Sequence, residues 1–229
     1  NKKFIIILII SLLYQSPLLT KSTSFDKFNS KNLSKYFSGI VAFENKDNSE
    51  ALSYFNSSKI LMNQHDPYLE RFVMSLVLEG KVAPAINFVR ANSEKSNSNF
   101  FEAYILLALD SLKKNNIDKV LKVLEEVPEI LQTDKFNYII LNSIKQYAHV
   151  FKNKKIIKGD KNFGNLSLIT ETFQRCYLGD VKTDSYFSKL INNNQADYSR
   201  YVYFYITYLI ENNKIDEAKI ITDELDYID

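Results

Sequence analysis

The residues best suited to chemistry in this chain are a pair of glycines and two histidines. Gly159 and Gly164 have the outer spacing of a phosphate-binding loop, but Asn165 stands where such a loop needs a lysine for the β- and γ-phosphates. His65 and His149 are far apart, with no Cys or acidic residue around them at metal-ligand spacing. We therefore predict no catalytic residue, no metal site and no bound cofactor.

The chain has a single cysteine, Cys176, so it can form no intramolecular disulfide. We interpret Cys176 as a packed helix residue, and a reactive thiol is the alternative. The sequence contains no serine nucleophile elbow, no zinc-protease motif and no calcium-binding loop. These observations predict a protein that is not an enzyme.

A lysine-rich segment covers residues 152–165, with five lysines between residues 152 and 161. A run of like charges is usually a solvated loop, although five lysines could also form a patch that binds anions. We predict an inter-repeat loop here and keep the anion-binding patch as the alternative.

The elements that would position these residues recur along the chain. Ala51 and Ala85 stand 34 residues apart (85 − 51), and each follows a short polar turn between two helical patterns. Val120 takes the same place one residue late, and Ala218 takes it in the last segment. A small residue at this point suits the crossing of two antiparallel helices.

Local signals in the segments agree with helix pairs. Gly39 would let a neighbouring helix approach closely, and Ser49 could cap the start of the next helix. Gly80 stands where a helix is expected to end, and Pro84 falls in the first turn of the following helix, where proline is tolerated. The pattern predicts one long helix from Lys135 to Phe151. Its apolar side would carry Ile139, Ile140, Ile144, Tyr147, Ala148 and Phe151. In the first segment the predicted apolar residues are Tyr36, Phe37, Ile40, Val41, Phe43, Leu52, Ile60 and Leu61.

The repeat resembles that of tetratricopeptide repeat (TPR) proteins, and more closely that of the exported members found in bacterial envelopes. The matching small residues are Gly39, Ala51, Ala85, Ala108 and Ala218. The chain departs from the family pattern because it has no Trp and because residues 180–190 are degenerate. The resemblance implies an all-α fold over residues 31–229, a right-handed α-solenoid of antiparallel helix pairs with about five to six repeats. The composition agrees, because five Gly and four Pro are few for a turn-rich all-β fold.

The resemblance also implies a concave groove lined by the first helix of each repeat. Its apolar and aromatic character would suit a partner helix or extended peptide. The alternative is that these residues contact further repeats of the same superhelix. The predicted lining residues are Tyr36, Ile40, Phe43, Glu70, Met74, Val77, Ile105, Leu109, Tyr203 and Thr207.

The N-terminus carries the pattern of a secretory signal. Lys2 and Lys3 precede an apolar run from Phe4 to Ile10, and small polar residues follow it. We predict a signal peptide over residues 1–24 and export to the periplasm or the periplasmic face of a membrane. An uncleaved anchor is the alternative and the only expected membrane attachment. Cleavage would remove three lysines and no acid, so the formal net charge would fall from +2 to 26 − 27 = −1. Such a chain is not expected to bind nucleic acid.

We expect the chain to continue beyond residue 229, because Ile220, Ile221 and Leu225 form an apolar helix face with no capping helix after it. Two functions remain open on the sequence. The first is a scaffold of the bacterial envelope that binds a partner protein or peptide in an apolar groove. The second is the docking or regulatory part of a larger envelope enzyme whose catalytic part lies elsewhere.

Overall fold

The computed structural model describes residues 29–63, 65–94, 98–159, 161–192 and 199–225. The predicted signal peptide lies outside these residues. Within them the chain is all-helical, without a strand, as predicted. No helix in this part of the chain combines the length and apolar content needed to span a membrane. The α-helices are α1 (Ser30–Glu44), α2 (Asn48–Ser57), α3 (Pro67–Leu78), α4 (Val82–Ala91), α5 (Phe101–Lys113), α6 (Ile117–Glu125), α7 (Lys135–Asn153), α8 (Asn165–Leu178), α9 (Thr183–Ile191), α10 (Ser199–Glu211) and α11 (Ile215–Leu225), and short 3-10 helices cover Lys59–Asn63 and Glu129–Gln132.

The helices form two compact units, one up to Ser98 and one from Asn99 onward. Consecutive helices pack against each other, α1 to α4 in the first unit and α5 to α11 in the second. Large buried side chains fill each unit, among them Phe55 and Tyr68 in the first and Leu124, Leu141 and Phe187 in the second. Each unit therefore has its own apolar core.

The turns inside four helix pairs share one geometry. In each turn one residue has a positive φ, and the next residue donates its N–H to a carbonyl five residues back. This hydrogen-bond pattern ends a helix with a left-handed residue. The left-handed residues are Lys46, Gly80, Asn115 and Asn213, with φ of 63°, 72°, 54° and 59°. The predicted pairs α1/α2, α3/α4, α5/α6 and α10/α11 are thus structurally alike at their turns.

The small-residue position predicted for each second helix is buried in all four pairs. Ala51, Ala85 and Val120 have no exposed surface and Ala218 is 4% exposed. Gly39 serves the same purpose in α1, because a Cβ added there would lie 2.8 Å from the Phe55 ring. The close approach of helices expected at these positions is confirmed.

Two local expectations were wrong. Asp47, not Ser49, caps α2, because its side chain accepts the N–H of Glu50 at 3.0 Å. Phe37 and Val41 of α1 and Ile60 were expected to be buried, but they are at least half exposed and do not belong to the core of the first unit. The buried face of α1 instead runs through Tyr36, Gly39 and Ala42, a spacing of three residues that keeps them on one side of the helix.

The region with a blurred repeat contains three helices. The predicted long helix is confirmed as α7, and the lysine-rich segment leads into α8 as expected. Gly179, with φ of 64°, ends α8, and Asp180 donates its N–H to the Arg175 carbonyl. This bond matches the one found in the other turns, so α8 and α9 form a further pair in the stretch where the sequence repeat is degenerate.

Replacing Ala85 by phenylalanine is expected to lower the free energy of unfolding by about 1–3 kcal/mol, because a fully buried site cannot take a ring without displacing its neighbours. The matched control is Ala83→Phe, two residues earlier on the exposed side of α4. Denaturant unfolding followed by circular dichroism measures both variants. Equal stability of the two variants would contradict the packing described for α3 and α4.

Candidate binding surfaces

The predicted groove residues of the first unit have different surroundings. Ile40, Phe43, Met74 and Val77 are half-buried, as is the charged Glu70. The Arg71 guanidinium lies 5.3 Å from the centre of the Phe43 ring and covers part of it. A partner would have to share the Phe43 ring with this guanidinium, and the assignment of these five residues to a groove stays a prediction.

Tyr36 is inside the first unit. Only 3% of it is exposed, and its ring lies 5.8 Å from both the Phe55 and Tyr68 rings. His65 approaches it edge-on, with 3.0 Å between His65 Nε2 and the Tyr36 hydroxyl. We therefore correct its position from the groove to the core. His65 lies in the expected turn, and its pairing with Tyr36 was not foreseen.

The predicted groove residues of the second unit lie on two helices. Ile105 and Leu109 belong to α5, where Ile105 packs against the core and Leu109 is 45% exposed. Tyr203 and Thr207 belong to α10, where Tyr203 is 71% exposed and the Thr207 hydroxyl bonds to the Tyr203 carbonyl. Of the four, Leu109 lines a cavity with side chains from other helices.

That cavity, here called the apolar groove, has a volume of about 400 Å³. Helices α5, α6, α7 and α8 contribute to it, and its walls carry no charged side chain. Concave apolar surfaces of this size are the usual form of binding sites for side chains of a partner or for small ligands. The lining residues are Leu109, Leu112, Val120, Ile144, Tyr147, Ala148, Phe151 and Phe173.

Aromatic contacts hold the walls of the apolar groove in place. Phe151 and Tyr177 meet edge-to-face at 4.8 Å between ring centres, and Phe173 meets Phe187 at 5.8 Å in the same manner. Burial raises the pKa of Tyr147, so its hydroxyl stays neutral. The groove is therefore formed by side chains that the core already supports.

Sequence reasoning identified one side of this groove without recognising it. Ile144, Tyr147, Ala148 and Phe151 were expected on one face of the long helix, and all four line the groove. Phe173 was missed, because it comes from α8, beyond the lysine-rich segment where the repeat pattern is lost.

A second cavity, here called the polar pocket, lies beside the lysine-rich segment. Its volume is about 430 Å³, and residues from α7, α8, α9 and the segment before α8 line it. Lys158, Lys161 and Lys189 supply positive charge, and Glu171 is a carboxylate in its wall. The two glycines that resemble a phosphate loop, Gly159 and Gly164, also line this pocket.

Arg175 compensates the charge of Glu171. Its guanidinium donates to Glu171 and, at 2.8 Å, to Asp180, and it lies 4.2 Å from the centre of the Tyr186 ring. Partial burial raises the pKa of Glu171, but hydrogen bonds from Arg175 and Tyr186 outweigh it and hold this pKa below its ordinary value. Glu171 is therefore an ionised carboxylate with a fixed partner.

The described residues bear on two kinds of reactive group, metal-ligand clusters and the single thiol. No group of three or more His, Cys, Asp or Glu within them is placed to hold a metal ion. Cys176 is half-buried, and burial raises the pKa of its thiol, which opposes formation of the reactive thiolate.

Comparison of the chain with protein-family models and with curated proteins finds no match in either.

Proposed function

We propose that this chain is a non-enzymatic scaffold of the bacterial envelope, a TPR-like α-solenoid that binds an apolar helix or extended segment of a partner protein in the apolar groove. The observation that carries the proposal is a cavity of about 400 Å³ with entirely uncharged walls, in which Leu109 remains 45% exposed. When a partner covers such a site, the free energy of binding becomes more favourable by about 25 cal/mol for each Å² of apolar surface removed from water.

The repeated turns support the solenoid part of the proposal. Four helix pairs share a left-handed turn residue and a buried small residue at equivalent positions. Helical repeats with such regularity stack their pairs and present concave surfaces that bind extended segments of other proteins.

Replacing Leu109 by aspartate is expected to weaken binding of the partner protein at least about tenfold. The bound protein would exclude water from the new carboxylate, and the apolar groove offers it no hydrogen bond or opposite charge in return. The matched control is Ile130→Asp, since Ile130 is 74% exposed and does not line the groove. Both variants should unfold near the midpoint of the parent chain.

The measurement uses a photo-crosslinking amino acid placed at position 109 or 130 of the full chain, in cells of the source organism. The amino acid at position 109 should give a crosslink to one discrete protein, and the amino acid at position 130 should not. When that protein is purified, it should bind the parent chain, and its binding to Leu109→Asp should be weakened as stated. Identical crosslinks from both positions, or binding unaffected by Leu109→Asp, would refute the proposed groove.

The same proposal places the protein outside the cytoplasm. Residues 1–30 fused to a reporter that is active only after export are expected to give activity, because Lys2 and Lys3 followed by an apolar run have the order that the secretion machinery recognises. The control replaces Ile6 and Ile7 with aspartates. A reporter that is expressed but silent would refute the location and leave the groove proposal standing.

A further inference from the structure

The polar pocket contains a buried donor that lacks an acceptor. Gln174 is 1% exposed, and its side-chain oxygen accepts the backbone N–H of Ile157 at 2.8 Å. This hydrogen bond fixes the orientation of the amide, since only the oxygen can accept. Gln174 Nε2 then has no hydrogen-bond partner in the described part of the chain. A buried donor without an acceptor destabilises the folded chain, so its retention indicates that something else supplies the acceptor.

Positive charge surrounds the same pocket. Lys158 and Lys161 reach it from the lysine-rich segment and Lys189 from α9. The one carboxylate in the wall among the described residues, Glu171, is already bonded to Arg175. No other acid among the described residues lines the pocket, so the three lysines would attract an anion that enters.

The first turn of α8 adds to this attraction. Gly164, Ser167 and Leu168 line the pocket, and Gly164 is the N-cap of the helix. The N-terminus of a helix carries a partial positive charge that favours anions. Ser167 Oγ accepts the N–H of Phe163 at 2.8 Å, and the same hydroxyl can donate its proton to a ligand.

We propose that the polar pocket binds the anionic oxygen group, phosphate or carboxylate, of a small-molecule ligand. The oxygens accept from Gln174 Nε2 and the Ser167 hydroxyl while Lys158, Lys161 and Lys189 balance the charge. The volume of about 430 Å³ exceeds that of a bare anion, and Ile157 and Leu168 offer apolar wall to the rest of the ligand. This site is separate from the apolar groove, and neither proposal depends on the other.

The test titrates the full chain with inorganic phosphate and, separately, with citrate by calorimetry at constant ionic strength, with choline as a cationic control. Saturable binding of at least one anion and none of choline is expected. Binding of phosphate alone assigns a phosphoryl ligand, and binding of citrate alone assigns a carboxylate ligand. Absence of saturable binding by both anions would overturn the proposal.

Two kinds of variant locate the bound anion. Lys158→Gln is expected to weaken binding about tenfold, whereas Lys155→Gln, which removes the same charge from the same segment outside the pocket, should leave it unchanged. Gln174→Glu keeps an acceptor for the Ile157 N–H but replaces the unpaired donor with an oxygen, so it should abolish binding. If Gln174→Glu does not fold, the lysine pair of variants still decides, because both lysines are exposed. An equal loss from Lys155→Gln and Lys158→Gln would mean diffuse attraction and would overturn the pocket.

Discussion

Replacing Phe55 by alanine is expected to lower the free energy of unfolding of the first unit by about 3–5 kcal/mol. Phe55 has no exposed surface, and its ring lies against Gly39 and near Tyr36 and Tyr68. The cavity left by the ring cannot close easily, because the Tyr36 and Tyr68 rings are themselves fixed in a stack. Removing Phe55 therefore costs both its burial and the close crossing of α1 and α2.

The matched control is Phe37→Ala, which removes the same side chain from the exposed side of α1. Phe37 is 58% exposed, so the expected loss is under about 1 kcal/mol. Urea unfolding of the full chain, followed by circular dichroism, compares the two variants with the parent. A Phe55→Ala variant as stable as Phe37→Ala would show that this aromatic cluster does not form the core of the unit.

The same cluster shows what the sequence could and could not predict. Gly39, Ala51 and Ala85 were recognised, because small residues that recur at a fixed distance in a helical chain indicate repeated close crossings of helices. Tyr36 was placed on the wrong side of its helix. An aromatic side chain at a helix position suits either a groove or a core, and only the packing of α3 and its Tyr68 against α1 and α2 distinguishes them.

The apolar groove was half predictable for a related reason. The apolar face of α7 is a local pattern, readable from residues three and four apart. The opposite wall includes Phe173, whose position depends on how the chain returns after the lysine-rich segment. Local periodicity carries no information about that path. For the same reason the lysines could be counted in the sequence, but their neighbour Gln174 could not be identified.

The sequence shows the α8/α9 pair only as a degenerate repeat, because the contacts that stabilise its turn are polar and electrostatic. Gly179 provides the left-handed residue, but the position five residues later, which holds a small apolar residue in the other pairs, is Asp184. Beside it, Thr183 is fully buried and donates its hydroxyl to the Asp180 carbonyl. Arg175 then joins the end of α8 to the turn through Asp180. The repeat persists in the backbone, while the residues that form it are different.

Replacing Arg175 by methionine is accordingly expected to destabilise the second unit by about 3 kcal/mol at neutral pH. Methionine keeps an apolar contact with Tyr186 but removes the hydrogen bonds that Arg175 donates to Glu171 and Asp180. The Arg175 side chain is only 10% exposed, and removing one member of a buried ion pair costs about 3–5 kcal/mol. We take the lower end of this range, because the side chains of Glu171 and Asp180 are 24% and 27% exposed, so water can partly solvate their charges once Arg175 is removed.

The control for charge alone is Lys122→Met. Lys122 lies 3.9 Å from Glu126, and both side chains are more than half exposed, so its removal should change stability by less than about 1 kcal/mol. Chemical denaturation of the full chain at pH 7 measures both variants. Similar losses from Arg175→Met and Lys122→Met would mean that Arg175 contributes no more than a surface charge.

The pH dependence of the stability difference tests whether Glu171 and Asp180 cause the loss of stability in Arg175→Met. The Lys182 N–H and then Arg175 hold the pKa of Asp180 below its ordinary value, and the pKa of Glu171 is also lowered. A lowered pKa in the folded state means that the stabilisation is complete above the unfolded pKa, about 4, and is lost as the pH falls through the folded pKa. The stability difference between parent and Arg175→Met should therefore be constant from pH 7 down to about pH 5 and shrink below about pH 4. A difference that stays the same at pH 3.5 would assign the loss to packing over Tyr186 and would contradict the electrostatic role of Arg175.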